Sequence, residues 1–236
     1  MFKNVVVGVG GSESWHDAVA LGVKLLSEDG RLTLANVFVF GTGPRLSNGY
    51  NRDVEAMERA RAAKLLQWAR ARAGIPAAAR WRGAASVGRG LHELAEELEA
   101  DVLVVGASQQ RMVGRALLRD NTLATLNGAP CAVAVAPAGY AQRAREIRRV
   151  RVLDERSAED FGGNGGKSDL LVVGSRGHGP LRRLLNGSML RNLSRDAACP
   201  LLVLPRGAHP LAAAEALIYG PPPTSTTSSG SKPATG

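Results

Sequence analysis

The stretch that decides the fold is DLLVVGSRGHGPLRRLLNGS, Asp169 to Ser188. Its opening run, DLLVV, is short and apolar, which is typical of a strand buried on both faces of a parallel sheet. Gly174, Gly177 and Gly187-Ser188 follow, separated by two and then nine residues. Glycines at a strand end let the backbone approach a ligand, and amides at a helix start attract an anion. The spacing predicts a phosphate-binding turn; plain turns followed by a serine helix cap remain an open alternative.

The same pattern occurs 68 residues earlier, from Asp101 to Pro137. DVLVVGAS (101–108) and CAVAVAP (131–137) match DLLVVGSR (169–176) and CPLLVLP (199–205) without a gap. We therefore predict two copies of one strand–helix–strand ending. The first copy does not keep the glycines: Gln109 stands at the second glycine and Arg119-Asp120 at the Gly-Ser pair.

Upstream of the first copy, strand and helix patterns alternate. We predict strands at 4–10, 31–40 and 78–86, followed by the two strands of the first copy, and helices that begin near Ser12 or Ser14 and end at Gly30, then at 52–73, 88–100 and 117–126. Such alternation predicts a parallel α/β sandwich with a layer of helices on each face. Ligands in these folds bind at the carboxyl ends of the strands.

The copies divide the chain into four segments. We predict a complete α/β module at 1–140, a basic and then glycine-rich linker at 141–168 with room for one strand, a partial second module at 169–207, and a mostly disordered tail at 208–236 with a short helix at its start. Residues 148–157 have two interpretations. They form either a first strand followed by Asp154 as an acidic residue, or a third strand, which we prefer.

At these residues the chain resembles the universal stress protein family. GSRGHGPLRRLLNGS fits the family's Gly-x2-Gly-x9-Gly-Ser/Thr motif in full, and VVVGVGGSESWHDAV is similar to its first strand and helix. The resemblance implies a five-stranded parallel sheet with helices on both faces, plus a partial second copy here. It also implies ATP, with its Mg²⁺, between the ends of the first and fourth strands. Pairing of modules through their last strands, 132–136 and 201–204, is implied as well, with each other or across a homodimer.

Carried over residue by residue, the resemblance assigns the ATP contacts. Gly177, Gly187 and Ser188 would face the phosphates, and Gly174, Ser175 and Arg176 would line the ribose side. Gly10 and Val37 are the candidates for the adenine-side wall, although Gly10 stands where the family's ATP binders usually carry an acidic residue. The two halves of this pocket lie in different modules, so a composite site would need strand ends borrowed from the first module or from a second chain.

The resemblance and these residues lead to a non-catalytic, ATP-responsive stress or regulatory protein as the expected function. No motif positions a general base, so we expect slow ATP hydrolysis at most. A nucleotide-free dimerisation or interaction protein is the alternative. Nonspecific nucleic-acid binding through the basic segments is a weaker one, because few aromatic residues accompany the cations.

Composition limits the classes of partner, metal site and cellular location that the sequence allows. The formal charge of +9 favours anionic partners. Two cysteines without a CxxC pair, and four scattered histidines, predict no metal site. No apolar run is long enough for a membrane span, and we expect a cytoplasmic protein. GGNGGKS (162–168) lacks the leading glycine of a P-loop and precedes a strand, so it is interpreted as a turn. His16-Asp17 is interpreted as a solvated helix start.

Overall fold

The computed structural model describes residues 1–10, 12–39, 48–107, 109–112, 115–118, 120–144, 146–153, 168–174, 199–205 and 207–219. Ten strands lie within these ranges: β1 Phe2–Gly8, β2 Leu26–Val39, β3 Ala77–Ala84, β4 Val102–Gly106, β5 Gln109–Met112, β6 Arg115–Leu118, β7 Ala132–Ala136, β8 Val150–Leu153, β9 Leu170–Gly174 and β10 Leu201–Leu204. The helices there are α1 Ser14–Leu25, α2 Asn48–Ala73, α3 Val87–Glu97, α4 Asp120–Leu126, α5 Tyr140–Arg143 and α6 Pro210–Tyr219.

Both copies of the repeat contribute to one eight-stranded sheet, in the order β3-β2-β1-β4-β7-β10-β9-β8. The first five strands of that order form the expected parallel sheet of a complete module. The second copy adds β10, β9 and β8, which are parallel to one another. The fold is therefore α/β, with a full module extended by a partial one.

The two copies join through an antiparallel pairing of their last strands. Leu202 on β10 lies opposite Ala134 on β7, and these two residues occupy the same position of the repeat. The flanking pairs, Leu201 with Val135 and Val203 with Val133, exchange equivalent positions. This is the isologous pattern of a two-fold interface, formed here inside one chain. Because β4 and β9 occupy the outer edges of β7 and β10, neither strand has an edge left for pairing with a second chain.

One apolar core runs along each face of the sheet through both copies. On one face, α1 packs on β1 and β4 and α2 packs on β2 and β3, and the same cluster continues through Leu170, Val172 and Leu202. On the other face, α3 and α4 cover the sheet, and the cluster continues through Leu171 and Val203. Alternate residues of β9 thus enter opposite cores, as expected for a strand buried on both faces.

Residues 150–153 form a first strand, not the third strand that we preferred. β8 lies beside β9 with Val150 opposite Leu170, just as β1 lies beside β4 with Val5 opposite Val102. An aspartate at the start of each fourth strand repeats the contact. Asp101 Oδ2 accepts hydrogen bonds from the backbone of Lys3 (2.9 Å) and Asn4 (2.8 Å). Asp169 Oδ2 accepts from the backbone of Arg148 (3.2 Å) and Arg149 (2.8 Å).

Two predicted boundaries are wrong. α1 ends at Leu25, because β2 begins at Leu26 and includes Gly30. The helix predicted at 117–126 begins only at Asp120, and residues 115–118 pair instead with 109–112 as an antiparallel hairpin. The short helix predicted at the start of the tail is present as α6, and residues 220–236, predicted to be disordered, lie outside the described ranges.

Candidate functional site

A cavity of about 180 Å³ opens at the carboxyl ends of β1 and β4 in the first module. Its walls come from the ends of β1, β2 and β4, the start of α1, and the inward faces of α3 and α4: Gly8, Val9, Gly10, Ser12, Ser14, Trp15, Ala35, Val37, Val87, Leu91, Val105, Gly106, Thr122 and Thr125. Gly10 and Val37, the two residues predicted to form an adenine-side wall, both lie in this lining. The cavity is at the place where α/β folds bind their ligands.

Glycine is required where α1 crosses the end of β4. A Cβ on Gly106 would lie 2.1 Å from the carbonyl oxygen of Ser14, so the helix approaches as closely as it does only because no side chain is present. A Cβ on Gly10 would meet nothing within 4 Å. The cavity mouth beside Gly10 is therefore open.

The polar groups around this cavity are mostly paired with protein atoms. Asn36 donates from Nδ2 to the carbonyl oxygen of Val9 (2.7 Å), and Thr122 donates to that of Gly106 (3.3 Å). The Ser12 and Ser14 hydroxyls lie 2.9 Å apart and hydrogen bond to each other. With Val9, Val37, Leu91 and Val105 in its walls, the cavity suits an apolar or aromatic surface better than a charged one.

The phosphate side of the first module differs from the motif in shape and charge. Gln109 begins β5 of the β5–β6 hairpin, at the position of the second motif glycine. α4 begins at Asp120, the position that corresponds to Ser188. The sequence thus has an acidic residue where the motif has a serine at the helix start, and a negative charge there is unfavourable for phosphate binding.

Gly174, the first glycine of the motif, ends β9 and is half-buried. A Cβ added there would lie 2.6 Å from Cγ of Pro210, the first residue of α6. The other residues assigned to the phosphates and ribose, namely Ser175, Arg176, Gly177, Gly187 and Ser188, lie outside the described residues, as does Asp154.

The structure separates the two halves of the expected composite pocket. β7 and β10 are antiparallel, so the strands of the second copy run opposite to those of the first. The carboxyl ends of β8 and β9 therefore lie on the side of the sheet where β1 and β4 have their amino ends. Gly174 therefore cannot join Gly10 and Val37 in one site within a chain. Instead, each copy places its own first and fourth strands side by side, and each copy has its own potential site at the carboxyl ends of that pair of strands.

A second, more polar cavity of about 490 Å³ lies between the start of α1, the end of α2 and α5. His16 and Arg72 line it together with Ser12 and Ser14, and the His16 ring stacks on Trp15 at 3.6 Å between centroids. No hydrogen bond or ion pair of the His16 ring is found within the described part of the chain.

Asp17 is buried, so the interpretation of His16-Asp17 as a solvated helix start is wrong for the aspartate. Its Oδ2 accepts a hydrogen bond from the backbone of Gly139 (2.9 Å), and its Oδ1 accepts one from Ala141 (2.8 Å). The carboxylate thereby ties α1 to the segment that leaves β7 for the second copy. Its role is structural.

The ionisable groups beside the strands also have structural environments. Burial raises the pKa of the Cys131 thiol to about 11 and that of Cys199 to about 12. Burial opposes ionisation of Asp169, but hydrogen bonds from the Arg149 side chain and from the backbone of Arg149 and Arg148 outweigh it and lower the pKa of Asp169. Neither thiol is prepared to act as a nucleophile at neutral pH.

The basic surface of α2 carries two aromatic contacts. The Arg59 guanidinium lies 4.5 Å from the ring centroid of Trp81, and Lys64 Nζ lies 5.1 Å from that of Trp68. Both cations thus stack on aromatic faces of this protein. None of the helices in the described part of the chain combines the length and apolar character needed to cross a bilayer.

Comparison with known proteins agrees with this architecture. A family-level sequence comparison matches the universal stress protein family at residues 1–137 and 166–205. A comparison with curated protein sequences finds no match.

Solved structures with a similar fold include several universal stress proteins. One from Archaeoglobus fulgidus DSM 4304 has a TM-score of 0.50 and 14% identity, over 86% of this chain and 98% of that one. A universal stress protein in complex with cAMP has a TM-score of 0.43 and 24% identity, over 57% of this chain and 97% of its own. A family member from Burkholderia pseudomallei has a TM-score of 0.40 and 20% identity, over 56% of this chain and 96% of its own.

The family match covers the complete first module and the repeated ending of the second, the same parts that share one sheet here. This chain belongs to the universal stress protein family.

Proposed function

We propose that the protein is a non-catalytic, adenine-nucleotide-responsive regulatory protein of the cytoplasm, with its ATP site in the second copy. The observation that carries this proposal is the position of β8. It gives the glycine motif after β9 a first strand beside its fourth strand, in the register of the complete module. A phosphate-binding turn with no neighbouring strand would leave the base in water; β8 supplies one wall.

We propose an acidic residue for this site as well. Val150 corresponds to Val5, so counting along the sequence gives Glu155, rather than Asp154, as the counterpart of Gly10. The second copy thus has an acidic residue where the first has glycine. ATP, accompanied by Mg²⁺, would be held by the turn from Gly174 to Ser188, with Glu155 on the nucleoside side.

The first-module cavity supports a lesser role. Its apolar walls match a base, but its volume of about 180 Å³ is small for a ligand site, and Asp120 begins the helix that would face phosphates. We propose that this module does not bind ATP.

The environments of the serines and cysteines support a binding function over a catalytic one. Ser12 and Ser14 hydrogen bond to each other instead of to a base, and both cysteines are buried with raised pKa values. Nucleophilic catalysis needs a side chain activated by an adjacent base or by a lowered pKa.

Isothermal titration calorimetry with ATP, ADP and cAMP tests the proposal. The wild type is expected to bind ATP at one site per chain. Gly187→Glu places a carboxylate in the phosphate turn and is expected to abolish the signal. The matched control is Arg119→Glu, the same side chain at the equivalent position of the first copy, which should bind ATP like the wild type. Loss of binding in the control together with binding by Gly187→Glu would contradict the proposal.

A nucleotide-free interaction protein is the second candidate. The first copy favours it, because that copy keeps the complete parallel sheet while Gln109 and Asp120 stand at the glycine and serine positions of the motif. Under this candidate, neither the wild type nor any variant gives a calorimetric signal with the three nucleotides. Any saturable signal that Gly187→Glu removes decides for nucleotide binding.

A further inference from the structure

The C-terminal helix α6 lies on the second copy where α1 lies on the first. α1 packs on β1 and β4, and α6 packs on β8 and β9, the corresponding pair of strands. Leu217 of α6 belongs to the same apolar core as Leu21 and Leu25 of α1, so both helices cover the same face of the sheet.

A glycine contact marks the same position in both copies. Gly106 ends β4 directly beneath Ser14, the first residue of α1. Gly174 ends β9 directly beneath Pro210, the first residue of α6. In each case a Cβ would lie within 3 Å of the helix start, so both helices begin over the end of a fourth strand.

The chain order differs between the copies. α1 follows β1 directly, whereas α6 follows β10, the last strand of the second copy. We infer that α6 is the first helix of the second module, supplied from the C-terminal side of the chain, and that its docking is coupled to ligand binding at the carboxyl ends of β8 and β9. The coupling rests on the proposed function of that site.

α6 buries far fewer residues than its counterpart. α1 buries seven residues, among them Trp15, Leu21 and Leu25. α6 buries Ala214 and Leu217, while Leu211 and Tyr219 are 59% and 83% exposed. An element with few buried contacts opens at low free energy. A ligand that binds only when such an element is docked shifts the equilibrium toward the docked state.

Two substitutions on α6 separate docking from a general effect of charge. Leu217→Asp places a carboxylate in the core and should release the helix. Leu211→Asp adds the same charge at an exposed position of the same helix and serves as the matched control. We expect ATP affinity to fall at least tenfold in Leu217→Asp and to stay within about twofold of wild type in Leu211→Asp, by calorimetry on the full chain. Leu217→Ala, a milder change, should give an intermediate loss if Leu217→Asp does not fold.

Hydrogen exchange measured by mass spectrometry gives the reciprocal result. ATP should slow exchange at the α6 amides of the wild type, because coupling acts in both directions. Equal ATP affinity in all α6 variants, or α6 exchange that ATP leaves unchanged, would overturn the inference.

If the wild-type protein does not bind ATP, both the proposed function and the coupling are wrong. Amide hydrogen exchange measured without ligand then tests the placement of α6 separately. Faster exchange at 170–174 in Leu217→Asp but not in Leu211→Asp supports that placement. Equal rates overturn it.

Discussion

Adding a methyl group at Gly174 should push the start of α6 away from the sheet. The new Cβ would lie 2.6 Å from Pro210 Cγ, whereas carbon atoms pack at about 3.5–4.0 Å, so the two elements must separate by roughly 1 Å. The pyrrolidine ring cannot rotate out of the way. Overpacking of this kind costs about 1–3 kcal/mol of unfolding free energy.

Pro210→Ala removes Cγ and Cδ, the two nearest atoms, and leaves Cβ at 3.9 Å. A double-mutant cycle should therefore show coupling: Gly174→Ala is costly with Pro210 present and nearly neutral with alanine at that position. We predict a coupling energy of about 1–2 kcal/mol from urea unfolding followed by circular dichroism. Tryptophan fluorescence is unsuitable, because all three tryptophans (Trp15, Trp68 and Trp81) lie in the first module.

Gly10→Ala is the control substitution, because its Cβ would meet nothing within 4 Å. We expect it to be neutral or to stabilise the fold by about 0.4–1 kcal/mol through the unfolded chain. The same cost for Gly174→Ala in both Pro210 backgrounds would refute the placement of α6 over β9.

Three further predictions follow from the contacts. Asp17→Ala removes the acceptor of two backbone amides after β7 and should lower the unfolding free energy by about 2–4 kcal/mol. Asp17→Asn should retain part of this stabilisation. Urea unfolding measures both variants, and an unchanged midpoint would contradict a role of Asp17 in holding α1 to the segment after β7. Cys131 and Cys199 should resist a thiol reagent at pH 8 until the protein unfolds, since burial raises both pKa values; rapid labelling of the native protein would be inconsistent with their environment. Because the pKa of Asp169 is lowered on folding, its contribution to stability is present above the unfolded carboxyl pKa and is lost as pH falls through the folded one. Asp169→Asn should therefore show a smaller loss of stability on acidification than wild type, and identical pH profiles would argue against this role.

The repeat and the inner strands were predictable because the residues that begin and end the fourth strands recur in both copies. Asp101 and Asp169, like Gly106 and Gly174, share spacing and surroundings, and the buried apolar runs after the aspartates could only be inner strands. The five-stranded part of the sheet followed from the alternation of strands and helices.

The role of β8 was not predictable from its own residues. In both copies the aspartate accepts hydrogen bonds from two backbone amides, those of Lys3-Asn4 and Arg148-Arg149, and this shared contact requires no particular side chain. The helix of the second copy was hidden for another reason: α6 comes after the last strand instead of after the first. A search by chain order cannot find an element whose place is set only by packing.

The separation of Gly10 from Gly174 was not predictable either, because it depends on the relative direction of β7 and β10. The sequence shows that both follow parallel-type strands, but not that β7 and β10 pair in opposite directions. Once that pairing is antiparallel, two strand ends that seemed able to share one ligand lie at opposite edges of the sheet.

A crystal structure of the chain grown with ATP is the most direct test of whether the nucleotide binds in the second copy. We predict adenine beside β8 and phosphates at the turn that ends with Ser188, with no nucleotide beside Gly10. A nucleotide seated between β1 and β4, with the end of β9 empty, would contradict it.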